Sequence, residues 1–251
     1  KLYKDGFRGK ILATRPTRDF IRIMLEDSQE ILEREARDLN REPLYKGLDI
    51  EESLKLIEGI DYGKKIDLDK GASCQFRDAG HILGSAIIEV WMKENPKPKG
   101  RVKKIVFSGD LGNPPVPLLK STEFIDEADY VVIESTYGDR NHELEENRKD
   151  ILENVIEDTI AKGGTLMIPA FALERTQELL YELNELVENN RIPMAPVFVD
   201  SPLAIKSLDI YKKYPEYYNK EATYLIRSGD DLFKFSGLTF TKTVEESKHI
   251  N

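Results

Sequence analysis

Cysteine is nearly missing from this chain: its 251 residues hold one, Cys74. A single cysteine excludes an intramolecular disulfide framework and fits a reducing compartment. Histidine is almost as scarce, with only His81, His142 and His249 present. No apolar run reaches the roughly 18 residues that a membrane span needs. The start at Lys1 has neither an initiator methionine nor a signal-peptide pattern, so the cytoplasm is the expected location. Positive charge is in deficit, 37 Lys and Arg against 46 Asp and Glu, for a net charge of −9. That argues against a basic coating for nucleic acid, though not against a local basic groove. No GxGxxG or P-loop pattern opens a helix, so a nucleotide cofactor is unsupported. Repeats and low-complexity tracts are absent too. What is left, 40% hydrophobic and 33% charged, is the composition of a folded globular protein of one large or two smaller domains.

Hydrophobic periodicity divides the chain. A strand-like run at 9–14 leads into a helix with Thr17 as the expected N-cap. Ile21, Met24, Leu25, Ser28, Leu32 and Leu39 share one face of that helix. Pro43 breaks the pattern, and Asp49 with Glu52 resembles a capping box for a second helix running through Leu54, Leu56 and Ile57. Strands are expected at 73–77, 86–92, 104–108 and 130–134, with an exposed hairpin loop at 93–100. After Asp139 helices and strands alternate: helix 145–161 stopped by Gly163-Gly164, strand 165–169, helix 174–188, strand 197–200, and a helix through 205–211. This rhythm predicts a parallel, Rossmann-like sheet and a soft domain boundary near Asp139.

Polar groups gather where the apolar runs end. DAGHILGSA at 78–86 sets His81 in a tight turn between glycines, where a neutral ring nitrogen suits a metal; the alternative is a satisfied histidine in an ordinary hairpin. FSGDLG at 107–112 places Asp110 beyond a strand end, as a metal carboxylate or as an Asx-turn residue. ESTYGDRNH at 134–142 brings Glu134, Ser135, Thr136, Tyr137 and His142 to the end of a third apolar run. PAFALERTQELL at 169–180 carries Arg175 and Gln177 at a helix start, where oriented N–H groups favour phosphate. DSPLA at 200–204 does the same with Asp200 and Ser201, which an N-cap alone would also explain.

These segments, with DGFRGKILAT at 5–14 and in this order, resemble the β-CASP branch of the metallo-β-lactamase superfamily, the zinc-dependent RNA nucleases of 3′-end processing and ribonuclease J type. The resemblance runs from about Asp5 to the last residue. It implies an α/β fold: part of a metallo-β-lactamase αββα domain at 1–139, followed by part of a Rossmann-like β-CASP domain with parallel strands at 140–251. It implies His81 as a zinc ligand, Asp110 as the carboxylate bridging two Zn2+ ions, and Glu134 as an acidic catalytic residue beside them. Ser135, Thr136, Tyr137, His142, Arg175, Gln177, Asp200 and Ser201 become the expected substrate contacts. RNA is the implied partner, with a homodimer or processing-complex subunits as further partners and no membrane.

One departure matters. Active members carry a His-x-His-x-Asp-His cluster upstream of the first strand, later histidine motifs, and in archaea N-terminal KH modules, and none of these is in the chain. The expectation is therefore an internal fragment that by itself neither cleaves RNA nor holds two zinc ions, since such sites need three or four protein ligands each. A scaffold paralogue that has lost its metal ligands is the competing reading, and retention of both His81 and Asp110 favours the enzyme. A glyoxalase II-like hydrolase ranks third, because it would not need the block after Asp139.

Overall fold

The computed structural model describes residues 1–68, 71–93, 101–141 and 148–250. The expected loop at 93–100, apart from Lys93 itself, the first residues of helix 145–161, and His142 lie outside the described residues. Two compact units are present: Lys1–Asn113 with Thr122–Glu134, and Pro114–Ser121 with Ser135–Asn251. The architecture is mixed α/β, with parallel and antiparallel strands.

In the first unit, β1 (Ile11–Thr14) pairs in parallel with β2 (Ile57–Ile60). Between them run α1 (Arg15–Asp38) and α2 (Gly47–Leu54). The first helix starts before the expected Thr17. Thr14 is the cap, its side chain accepting from Thr17 N, and Pro16 sits in the first turn, where a missing N–H is harmless. Phe20 and Ala36 are buried, whereas Met24 and Leu39, expected on the packed face, are exposed. The second helix stops short of Ile57, which opens β2 instead. Asp49 is its N3 residue, not its cap, and accepts from Lys46 N at 2.9 Å.

Five strands form the main sheet: β3 (Ile66–Leu68), β4 (Ala72–Asp78), β5 (Ala86–Lys93), β6 (Val102–Phe107) and β7 (Tyr130–Val132), in that spatial order. All neighbours are antiparallel except β6 and β7. The last strand is shorter than the expected 130–134. One sheet face packs Cys74 and Phe76 with Ile60, Leu12 and Ile88, and burial there pushes the Cys74 thiol pKa up.

Glu89, nearly fully buried in β5, accepts from Arg77 Nε at 2.8 Å and lies 2.6 Å from Lys104 Nζ. Burial raises its pKa, but the hydrogen bonds from Lys104 and Arg77 win and leave it below the ordinary value. A depressed native pKa gives stability that is present above the unfolded pKa and lost as pH falls through the native one. Glu89→Ala removes the buried partner of Lys104 and the closest partner of Arg77, and is expected to cost about 3 kcal/mol at neutral pH. Denaturant titrations should show the gap to wild type shrinking below about pH 4; a pH-independent gap would refute the ion-pair origin.

The second unit contains α3 (Arg148–Ala161), α4 (Arg175–Glu188), β8 (Val197–Val199), α5 (Pro202–Lys213), α6 (Lys220–Ser228), β9 (Leu238–Phe240) and α7 (Val244–Lys248). The β8 and β9 strands pair in parallel. The α4 helix is buried on most sides, including Leu180, Tyr181 and Leu186. Segment Pro114–Ser121 joins this unit by an Asn219 N donation to Leu118 O at 3.0 Å and an Asn219 Nδ2 donation to Pro117 O at 2.9 Å.

The expected strand 165–169 is not formed: residues 164–171 have no regular structure, and Met167 and Phe171 are 85% and 82% exposed. An apolar run becomes a strand only beside a partner edge, and none pairs with it among the described residues. No described helix is long and apolar enough to cross a membrane.

Candidate active site

The β4–β5 hairpin is tightened around His81. Gly80 and Gly84 both have positive φ, 63° and 86°. Asp78 Oδ1 accepts from Gly80 N at 2.9 Å, and Ser85 Oγ accepts from the backbone N–H groups of His81 (3.1 Å) and Ile82 (3.2 Å). The Gly84 carbonyl accepts from the hydroxyls of Thr14 at 2.7 Å and Thr17 at 3.0 Å. The backbone carrying His81 is thus fixed at both ends, and the first helix helps to hold it.

Asp110 lies in the loop after β6, two residues beyond Gly109's neighbour Ser108, and this loop is locked onto the hairpin. Gly112 N donates to Ala79 O at 2.8 Å, and Thr122 Oγ1 donates to the same carbonyl at 2.9 Å. A Cβ on Gly112 would lie 1.8 Å from Gly80 O, so the two backbones meet where only glycine fits. His81 Nε2 and Asp110 Oδ2 come to 4.0 Å, with both side chains open to solvent. Glu134 sits behind them: its N–H donates to Ser108 Oγ at 3.1 Å and its Oε1 accepts from Leu111 N at 2.8 Å. Its carboxylate therefore anchors the backbone next to Asp110.

With metal–ligand bonds of about 2.0–2.2 Å, two donors on a tetrahedral ion lie about 3.4 Å apart, so the solvent-open His81 and Asp110 side chains, 4.0 Å apart, would have to close slightly to share one. An imidazole nitrogen and a carboxylate oxygen are both donor types that a divalent ion accepts. No group of three or more His, Cys, Asp or Glu side chains placed to hold a metal exists among the described residues.

The remaining expected contacts belong to the second unit. Ser135, Thr136 and Tyr137 form an exposed turn closed by Gly138 N donating to Ser135 O at 3.2 Å. The Arg140 guanidinium lies 5.1 Å from the Tyr137 ring centre. Arg175 pairs with Glu178 at 2.7 Å and keeps its side chain 60% exposed. Gln177 departs from expectation: it is fully buried, and its amide donates to the carbonyls of Ala172 and Ala204, leaving no surface for a substrate. Ser201 caps α5, its side chain accepting from Ala204 N. Asp200 accepts from Thr241 Oγ1 at 2.6 Å and Ser247 Oγ at 2.8 Å, which hold its carboxyl below the ordinary range.

Sequence reasoning missed Thr14, Thr17, Ser85, Ser108 and Thr122 as supports of the site. Thr14, Ser85 and Ser108 stand inside the quoted motifs and Thr17 was expected only as a helix cap, while nothing in the sequence marks Thr122.

Residues 176–251 match the Beta-Casp domain family. The chain is 34% identical over 252 residues to Ribonuclease TTHA0252 of Thermus thermophilus, an alignment covering 100% of this chain and 54% of that protein. It belongs to the β-CASP branch of the metallo-β-lactamase superfamily. Endoribonuclease YSH1 of Kluyveromyces lactis is 28% identical over 98% of the chain and 32% of its own length. Transcription termination factor FttA of Methanocaldococcus jannaschii is 32% identical over 92% of the chain and 35% of its own length. The chain thus spans about half the length of the Thermus protein and about a third of the other two. Two of these three relatives are named as ribonucleases and the third as a transcription termination factor.

Proposed function

We propose that the chain carries part of the active site of a zinc-dependent, cytoplasmic ribonuclease that hydrolyses RNA phosphodiester bonds endonucleolytically. The observation that carries this reading is the His81–Asp110 pair, 4.0 Å apart on two loops locked backbone to backbone. A borderline-soft imidazole nitrogen beside a carboxylate oxygen is a donor set that suits zinc. Two such ions, when bound, supply a hydroxide nucleophile and clamp the oxygens of the scissile phosphate.

The chain's own residues then divide the work. His81 offers Nε2, and Ser85 keeps its ring-bearing backbone in place. Asp110 would hold metal through its carboxylate, while Glu134 fixes the adjoining Leu111 amide and offers a further acidic group there. Ser135, Thr136, Tyr137 and Arg175 present hydroxyl, phenol and guanidinium groups for the RNA strand. Asp200 and Ser201 support the second domain through the β9–α7 connection and the α5 cap. The names of the Thermus and Kluyveromyces relatives support RNA as substrate, and the latter supports the endonucleolytic mode.

A circular RNA tests the reading, because it offers no end to an exonuclease. The full-length protein with zinc is expected to linearise it; degradation of linear RNA alone would replace the endonuclease by an exonuclease, and inertness toward both would remove the nuclease assignment.

A further inference from the structure

Glu174 holds a backbone shape that glycine would take more easily. Its φ of 67° and ψ of −62° lie close to the rare, strained form of γ-turn, at about +75° and −65°. Arg175 N closes that turn by donating to Leu173 O at 3.0 Å. A residue with a side chain keeps such angles only where its surroundings compel them, and such places gather at functional sites.

The compelling group is Tyr211. Glu174 is the N-cap of α4, a position whose side-chain oxygen ordinarily accepts from the first N–H groups of its own helix. Glu174 makes no such bond. Its carboxylate accepts instead from the Tyr211 hydroxyl on α5, and both residues are buried. Tyr211 is itself fixed: its carbonyl accepts from the Tyr218 hydroxyl at 2.7 Å, and its ring meets Phe233 edge-on at 6.3 Å. A buried carboxylate is costly without a donor, so the bond to Tyr211 and the bend at Glu174 support each other.

The bend sets the residue that follows it, Arg175, the first of α4. The arginine's Nη1 donates to Glu178 Oε2 at 2.7 Å, yet its side chain stays 60% exposed. A guanidinium has five N–H donors, so this tether aims the group without using it up. The turn fixes the backbone of Arg175, and the buried Glu178 fixes the direction of its side chain.

We infer that Glu174 and Tyr211 are positioning residues for Arg175, holding a strained turn that presents its remaining donors to an RNA phosphate. The inference rests on the reading of Arg175 as an RNA contact and adds the residues that hold that contact ready. A knot that served packing alone would lower stability when cut and leave RNA binding as it was.

The test is binding of a single-stranded RNA oligonucleotide to the metal-free full-length protein at several salt concentrations. Each phosphate contact to a single strand contributes about 0.7 to the slope of log affinity against log salt. Arg175→Ala is expected to reduce the slope by about that amount. Tyr211→Phe and Glu174→Ala should do the same, because each removes one half of the bond that holds the bend. Glu174→Gly should keep the wild-type slope, with or without Tyr211→Phe, since glycine takes a positive φ without strain. Should Tyr211→Phe fail to fold with its carboxylate stranded, Glu174→Ala and the Glu174→Gly/Tyr211→Phe pair still decide the matter. Wild-type slopes in Glu174→Ala and Tyr211→Phe, beside a reduced slope in Arg175→Ala, overturn the positioning role and leave the Arg175 contact standing. A wild-type slope in Arg175→Ala removes that contact and this inference together, while the metal-site reading still stands or falls by the circular RNA.

Discussion

Asp110→Ala in the full-length protein is expected to lower kcat for RNA cleavage by at least about 10³-fold, or about 4 kcal/mol of barrier. The reason is positional as well as electrostatic. Asp110 is the one carboxylate that the described structure brings within 4.0 Å of the His81 imidazole. Removing it takes away the anionic donor without touching the loop that carries it, since Gly112 and Leu111 make their hydrogen bonds through the backbone. The melting temperature should therefore stay near that of the wild type. KM should move less than kcat, because the RNA contacts proposed for Ser135, Thr136, Tyr137 and Arg175 are left intact. A variant that cleaves within about threefold of wild type would show that Asp110 is an Asx-turn residue.

Gly112→Ala is the second large effect, and it has a different origin. A methyl there would meet the Gly80 carbonyl oxygen at 1.8 Å, a contact with backbone that no rotamer change can relieve. The hairpin bearing His81 and the loop bearing Asp110 must separate. Forced overpacking of this kind costs about 3 kcal/mol, and a misplacement of about 1 Å at reacting groups costs about 10²-fold in rate. Gly164→Ala is the control, since its added methyl meets nothing nearer than 3.5 Å. Thermal unfolding and RNA cleavage measured on both variants should separate them clearly. Equal behaviour would mean that the Gly80–Gly112 contact is not what sets the site.

The strands that frame this site were legible in the sequence for a simple reason. Residues 73–77, 86–92 and 104–108 alternate or run apolar between obvious turns, and they pair with one another as β4, β5 and β6. The glycine-flanked positions of His81 and Asp110 were equally legible, since a tight turn at a strand end has few other causes. The supports were not. Thr14 reaches Gly84 across 70 residues, and Thr122 reaches Ala79 across 43, and nothing local marks either hydroxyl as a partner. Residues 165–169 illustrate the opposite error, because periodicity reports apolar character and not the existence of an adjoining edge. Ile57 was read as helix for the same reason: Leu54, Leu56 and Ile57 continue an apolar pattern, and only pairing with Ile11 makes residue 57 a strand. Gln177 drew notice as a polar group at a helix start, yet packing turns it inward to the Ala172 and Ala204 carbonyls.

The claim on which the rest depends is that His81 and Asp110 hold a divalent metal. Zinc titration of the full-length protein by calorimetry, comparing wild type with His81→Ala and Asp110→Ala, tests it without reference to catalysis. Each variant is expected to lose at least one equivalent of zinc, or at least about tenfold in affinity for it. Wild-type stoichiometry and affinity in both variants would contradict the metal assignment.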